Sequence, residues 1–234
     1  MKSLPAGCLS VVIPCYNEAK TIFQILEQVL AQDSVGQVVL VNDFSRDNSV
    51  EIISTFTDPR ITLLNNSQNL GKGASVALGI QSATKPYLVI QDADLEYSPT
   101  DYSKLLAVLV SNQGDVAYGS RFTNSQRQGS YRDWHKLGNV FLTKTSNLLT
   151  GLDLADMETC YKMMKLDLAK KLNIQEKRFG MEPEVTAKLA RMGARIVEVP
   201  ISYTARSYSQ GKKITWRDGF AALYCIIKYR FARL

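Results

Sequence analysis

Along the first half of the chain, apolar residues fall into short unbroken runs separated by stretches in which they return every three or four positions. Leu9 to Ile13, Val38 to Val41, Ile61 to Leu64 and Tyr87 to Ile90 have the length of strands buried on both faces. Between them, Ile22, Ile25, Leu26, Val29 and Leu30 recur at helical spacing, as do Val76, Ala77, Ile80 and Ala83. Strands alternating with helices predict an α/β fold with a mainly parallel sheet, in which ligands sit beyond the carboxyl ends of the strands. The second half is less regular. Tyr102, Leu105, Leu106 and Leu109 predict a helix, Val116 to Tyr118 a strand, Phe141 to Leu149 and Val185 to Met192 two helices, and Ile196 to Val199 a last strand. Ser120 to Arg132 is rich in Gly, Ser, Asn, Gln and Arg and lacks apolar periodicity, so it reads as a mobile loop. No repeat or linker interrupts the pattern, and the halves are expected to share one core.

The predicted strand ends carry polar clusters. After the first come Pro14, Tyr16, Asn17 and Glu18; after the second Asn42, Asp43 and Ser45; after the third Asn65 and Asn66; after the fourth Gln91, Asp92, Asp94 and Glu96. Asp92, Asp94 and Glu96 place three carboxylates at alternate positions. Crowded carboxylates repel each other, and a hard divalent cation with oxygen ligands, Mg²⁺ or Mn²⁺, is the usual way to hold them together. An isolated acidic turn would be solvated; the convergence of four polar strand ends favours the cation. Asp43 suits a nucleobase or ribose, or equally a helix cap. In Asn69-Leu70-Gly71-Lys72-Gly73 the glycines admit a close backbone approach and Lys72 offers a cation to phosphate, although a plain helix entry fits as well and the spacing is not that of a P-loop. Arg121, Arg127 and Arg132 in the predicted loop could grip phosphate oxygens or simply be solvated. Asp156, Glu158, Glu182 and Glu184 suit ordinary positions at a turn and a helix start.

Composition narrows the partners. The 234 residues are 45% hydrophobic and 21% charged, right for a globular chain, and the formal charge of +6 favours an anionic partner such as a nucleotide diphosphate, a lipid phosphate or an anionic membrane surface. The basic residues are dispersed and no nucleic-acid module is present, so nucleic-acid binding is not expected. His135 is the only histidine, which excludes a histidine dyad or cluster. Cys8, Cys15, Cys160 and Cys225 form no CxxC pair and fit a reducing cytoplasm. The start, with Pro5 and Gly7, does not resemble a secretory signal, and no run reaches the roughly 20 apolar residues of a spanning helix. Near the end, Trp216, Phe220, Leu223, Ile227, Phe231 and Leu234 share one helical face, with Arg217, Lys228, Arg230 and Arg233 at its margins. Four cations against Asp218 would add about 3 kcal/mol at an anionic surface. Such a helix either lies in a membrane interface or packs on the protein's own core.

Taken in order, SVVIPCYNE, VNDFS, NLGKG, QDADLE, GSRF and EVPISY with its basic loop resemble family 2 glycosyltransferases of the GT-A fold. Within that family the chain is similar to the dolichyl- or polyprenyl-phosphate mannose and glucose synthases, over nearly its whole length. The resemblance implies a GT-A domain over 1–205, with a nucleotide-binding half of about 1–98 and an acceptor half of 99–205, followed by a basic loop and amphipathic helix over 206–234. It implies that Pro14, Tyr16, Glu18 and Asp43 hold the nucleoside, that Asp92 faces the ribose and base, and that Asp94 and Glu96 hold the metal. Arg121, Arg132, Arg206 and Lys212 fall where the family grips phosphates, Lys72 joins the nucleotide-sugar site, and Glu184 aligns with a helix acid near the acceptor. Glu96 stands where the mannose synthases commonly carry glutamine, Asn42 where the first Asp of VDD is usual, and Phe44 where Gly is usual.

The implied activity is inverting transfer of glucose or mannose, from UDP-glucose or GDP-mannose, to a polyprenyl or dolichyl phosphate. The transmembrane segments of many relatives are missing, so peripheral contact at the cytoplasmic face would come from the terminal helix or from a membrane partner subunit. Two alternatives stay open: a family 2 transferase acting on a sugar hydroxyl, with Glu184 or a neighbour as base, and a non-catalytic nucleotide-sugar-binding module.

Overall fold

The computed structural model describes residues 4–122, 133–206 and 216–232, with the backbone alone at 133–136 and 216–218. One seven-stranded sheet runs through both halves. It comprises β1 (Leu9–Cys15), β2 (Val35–Asn42), β3 (Ile61–Asn65), β4 (Tyr87–Ile90), β5 (Val116–Ser120), β6 (Lys162–Lys165) and β7 (Ile196–Pro200), in the order β3-β2-β1-β4-β6-β5-β7. The helices are α1 (Ile22–Leu30), α2 (Ser49–Ile53), α3 (Lys72–Ser82), α4 (Tyr102–Val110), α5 (Asp133–Thr150), α6 (Leu166–Lys171), α7 (Met181–Arg191) and α8 (Trp216–Phe231), and a single 3₁₀ turn spans Pro99–Asp101.

The apolar runs of β1, β2 and β4 are buried on both faces because crossover helices cover them, α1 through Ile22, Ile25, Leu26 and Val29, and α3 through Val76 and Ile80. Gly79 is where α3 comes closest to the sheet: a Cβ there would stand 2.3 Å from Val12 Cγ1. Strands β1 to β4 pair in parallel, whereas β6 runs antiparallel to both β4 and β5. This short strand therefore carries the hydrogen bonding from one half of the chain into the other.

From β1 the chain steps outward to β2 and β3, then returns to the far side of β1 as β4. That reversal lies at the carboxyl ends of β1 and β4, the position at which doubly wound sheets bind ligands. The α8 helix packs against α5 and α7 through Ala222, Cys225, Ile226 and Tyr229. Its other side exposes Phe220 (68%), Tyr224 (65%), Ile227 and Phe231 (75%), four residues at i, i+4, i+7 and i+11. Of the stripe expected from the sequence, Phe220, Ile227 and Phe231 face outward, whereas Leu223 packs against the core and Tyr224 takes its place on the exposed side. Among the described residues no helix is long and apolar enough to cross a membrane.

Candidate active site

Two turns flank this position. After β1, Asn17 takes φ 54°, and the turn is tied to the β2–α2 segment: Asn17 N–H donates to Ser45 Oγ (3.1 Å), Glu18 N–H to Ser49 Oγ (2.9 Å), Ala19 N–H to Asp47 Oδ2 (3.0 Å), and Arg46 N–H to Asn17 Oδ1 (2.8 Å). Pro14 and Tyr16 are half-buried in this turn. Phe44, at φ 64°, adopts the left-handed conformation that glycine takes without strain, with its ring exposed. After β4, Leu95 at φ 62° turns the chain so that Glu96 N–H donates to Asp94 Oδ1 (3.2 Å).

Three carboxylates from these turns meet on one cation, Arg206, just beyond β7. Its Nη2 lies 2.6 Å from Asp94 Oδ2, its Nη1 3.1 Å from Glu18 Oε2, and its backbone N–H donates to Glu96 Oε1 at 2.8 Å. Tyr203 Oη donates to the other Glu96 oxygen at 2.8 Å. Burial, then the charges of Asp92 and Glu96, push the Asp94 carboxyl up to about 7. Asp92 belongs to an adjoining pair. Lys72 Nζ lies 2.9 Å from Asp92 Oδ1 and 3.0 Å from Glu182 Oε1. Burial works against the Lys72 ammonium, but Asp92 and Glu182 hold its pKa well above the ordinary lysine value.

Several expectations are corrected. Asp43, expected to hold the nucleoside, is engaged by the protein itself: one oxygen accepts from Asn66 Nδ2 and Leu70 N–H and the other from Gly71 N–H, each at 2.8 Å. Its charge is spent on shaping the β3–α3 turn. The glycines of that turn admit protein backbone, not a ligand: a Cβ on Gly71 (φ 97°) would meet Lys177 O at 2.3 Å, and one on Gly73 would meet Glu176 O at 1.9 Å. Lys72 grips carboxylates where a phosphate contact was expected. Arg121 follows β5 directly, and its fork is engaged: Nε and Nη2 each donate to Asp156 at 2.7 Å, beside the rings of Phe122 and Tyr203. This buried bidentate pair leaves Arg121 as an anchor for the 154–160 segment, in place of a free phosphate clamp.

Glu184 is also turned inward, accepting from Gln175 N–H and Glu176 N–H (2.8 Å each) and from Lys188 Nζ (2.6 Å). Positions 182 and 184 on α7 differ by about 200° around the helix, so only one of them faces Lys72. It is Glu182, which in the sequence has only the position of an ordinary helix-start acid. Its Oε2 is buried without a hydrogen-bond partner, as is Oε1 of Glu158. Burial, then the Glu182 charge, push the Glu158 carboxyl up to about 8. Arg127, Arg132, Lys212 and Lys213 lie outside the described residues, as do the side chains of His135, Trp216 and Leu234.

The donor set suits a hard divalent cation, since Glu18, Asp94 and Glu96 supply oxygens that already share a positive partner. As they stand around the guanidinium, however, no three acidic, histidine or cysteine side chains among the described residues are close enough to share an ion.

Residues 10–172 match the family described as Glycosyl transferase family 2. The chain is a member of that family. Its architecture is the GT-A arrangement that the sequence motifs imply, and the protein is accordingly a glycosyltransferase enzyme. The transferase is 25% identical over 209 residues to the undecaprenyl-phosphate mannosyltransferase of Micrococcus luteus, covering 86% of this chain and 85% of that protein. It is 26% identical over 215 residues to the polyprenol monophosphomannose synthase of Mycolicibacterium smegmatis, covering 86% and 79%. In fold it resembles the glucosyl-3-phosphoglycerate synthase of Mycobacterium tuberculosis solved with Mn²⁺ and UDP-glucose, with a TM-score of 0.71, 15% identity, and coverage of 95% of this chain and 78% of that one.

Proposed function

We propose that the transferase moves glucose or mannose from UDP-glucose or GDP-mannose to a polyprenyl or dolichyl phosphate, with inversion, at the cytoplasmic face of a membrane. Residues of about 1–98 hold the nucleotide-sugar, those of 99–205 face the acceptor, and the segment 206–234 meets the membrane. The observation that carries the acceptor assignment is the outward stripe Phe220, Tyr224, Ile227 and Phe231 on α8; α5, on which α8 packs, also exposes Leu137, Phe141 and Leu148. Between 137 and 150 and between 219 and 232 the sequence contains no acidic residue, while Lys144 and Arg230 are basic and Lys228 is paired with Glu176 at 2.7 Å. An apolar face with a cationic margin suits a lipid surface, and α8 packs on α7, whose first turn reaches Lys72 through Glu182. The names of the Micrococcus and Mycolicibacterium relatives agree with a lipid-phosphate acceptor.

A lipid phosphate monoester, with a second pKa near about 6, is mostly dianionic at neutral pH and is already a nucleophile. Its oxygen attacks the anomeric carbon as the bond to the donor phosphate breaks, and the nucleoside diphosphate leaves with the electron pair. No strong base is required of the protein. Asp94 and Glu96, the expected pair, and with them Glu18, which the resemblance assigned to the nucleoside, would hold Mg²⁺ or Mn²⁺, which when bound stabilises charge on the departing diphosphate. Asp92, kept ionised by Lys72, faces the ribose side, and the orphaned oxygens of Glu158 and Glu182 accept from hexose hydroxyls. Pro14 and Tyr16 line the nucleoside, and Asp43 acts on it through the turn that it shapes.

The test is transfer from a panel of nucleotide-sugars to a short polyprenyl phosphate with Mn²⁺ or Mg²⁺. A prenyl-phosphate hexose is expected as product, with Asp94→Asn lowering turnover by about 100-fold or more; transfer to a sugar hydroxyl and none to the phosphate would overturn the reading. Should a hydroxyl be the acceptor, the base would be Glu182, because Glu184 is committed to the 175–176 turn.

A further inference from the structure

We propose that Arg206 and the divalent cation are alternative occupants of one seat, so that loading the cation hands the arginine over to substrate phosphate. The inference rests on the metal dependence proposed above and goes beyond it.

The seat is built from three separate parts of the chain: Glu18 from the end of β1, Asp94 and Glu96 from the turn after β4, and Arg206 from beyond β7. The arginine is delivered to it by a short zipper. Thr204 N–H donates to Glu96 O (2.9 Å), Tyr203 bridges to Tyr97, and Tyr203 Oη and Arg206 N–H each take one Glu96 oxygen. Guanidinium nitrogens at 2.6 and 3.1 Å from their acceptors space the carboxylates around a flat group wider than an ion whose ligands stand at about 2.1 Å. For such an ion to bind, the oxygens must close inward and the guanidinium must leave. The seat also fits arginine incompletely. Its Nε is buried without a hydrogen-bond partner, 3.9 Å from Glu96 Oε1.

Lys72, a neighbouring cation among the described residues, is already engaged by Asp92 and Glu182. Arg206 is the described cation that all three of Glu18, Asp94 and Glu96 contact. Once displaced, its planar fork matches a phosphate, whether of the nucleoside diphosphate or of the acceptor. Cation and nucleoside diphosphate then bind with positive cooperativity, since the diphosphate offers the evicted arginine a new acceptor. Arg206 is in this sense a positioning residue that couples two binding events.

The experiment measures Mn²⁺ binding to the full chain by the electron paramagnetic resonance signal of free Mn²⁺, with no sugar donor present. Without nucleotide, Arg206→Gln is expected to bind Mn²⁺ at least about tenfold more tightly than wild type, and UDP or GDP to raise the wild-type affinity more than the variant's. Lys72→Gln, which removes the same charge from the adjoining pair, is expected to tighten binding by less than about threefold. Equal affinities of wild type and Arg206→Gln overturn the proposal, and so does a Lys72→Gln effect as large as that of Arg206→Gln, which would show only a field effect.

If Arg206→Gln does not fold, the ¹⁵Nε signal of Arg206 in the wild-type chain decides. The signal is expected to shift when Mg²⁺ and UDP are added together, and its remaining unchanged while both bind overturns the exchange. Absence of Mn²⁺ binding in every protein, even with UDP and GDP, removes the cation and the proposal together. Failure of the lipid-phosphate assay alone leaves these binding outcomes untouched.

Discussion

Two phenols, from Tyr102 on α4 and Tyr161 just before β6, donate to the same oxygen of Gln91 at 2.6 Å, and the Gln91 amide donates to the carbonyl of Asp92 at 2.9 Å. Gln91 is fully buried, so this network fixes the strand end from which Asp92 and Asp94 project. Gln91→Leu would strand two buried hydroxyls, each costing about 1–3 kcal/mol. A stability loss of about 2–6 kcal/mol is expected in urea denaturation, with a parallel fall in sugar transfer; an unchanged midpoint would show that the phenols do not depend on Gln91. Glu158 gives a second prediction. Its folded pKa, about 8, lies above the ordinary 4.5, so its contribution to stability is full below about 4.5 and is lost as pH rises toward 8. Glu158→Gln removes that loss. The melting temperature of the variant relative to wild type should therefore rise between pH 5 and pH 9, and a difference flat with pH would refute the assignment. At this scale the sequence showed which residues are acidic but not which way they turn. Asp94 and Glu96 were legible because they directly follow a strand. Glu182 was not, because its contrast with Glu184 depends on the rotation of α7, and Asp43 and Arg121 found protein partners that no local pattern announces.

Among the elements, α8 has two apolar sides, one resting on α5 and α7 and the other facing outward. Deleting it would uncover core, so surface substitutions are the cleaner probe. Tyr224→Ser, Ile227→Ser and Phe231→Ser together should leave the melting temperature within a few degrees of wild type. The same triple variant should lose co-sedimentation with vesicles containing anionic phospholipid. Retained binding would assign the stripe another partner. The strands β1, β2 and β4 and the helices α1 and α4 were legible because their apolar residues reach the core; β3, expected to be buried on both faces, lies at the sheet edge and its Ile61, Leu63 and Leu64 are only half-buried. The pieces that were not are short: α2 has five residues, α6 six and β6 four, of which two are lysines. Lys162 hides the strand character of β6. Its ammonium is buried and donates to the carbonyls of Met157 and Thr159, an arrangement that long-range packing creates.

At the level of the whole molecule, parallel order was legible in the alternation of strand and helix, while the sheet order was not, because β6 enters from late in the chain to sit between β4 and β5. Segments far apart in sequence are drawn to one edge: Arg206 reaches Glu18 across 188 residues and Asp94 across 112. The intervening β6 carries a mechanical consequence. Hydrogen-bonded on one side to β4 and on the other to β5, it joins the first and second halves of the chain into a single plate. Such a plate does not hinge, so any tightening around bound sugar must be done by the turns that rim it. For the same reason residues 1–98 are not a separable module: cut free, they would present β4 as a raw edge, ready to pair with another copy.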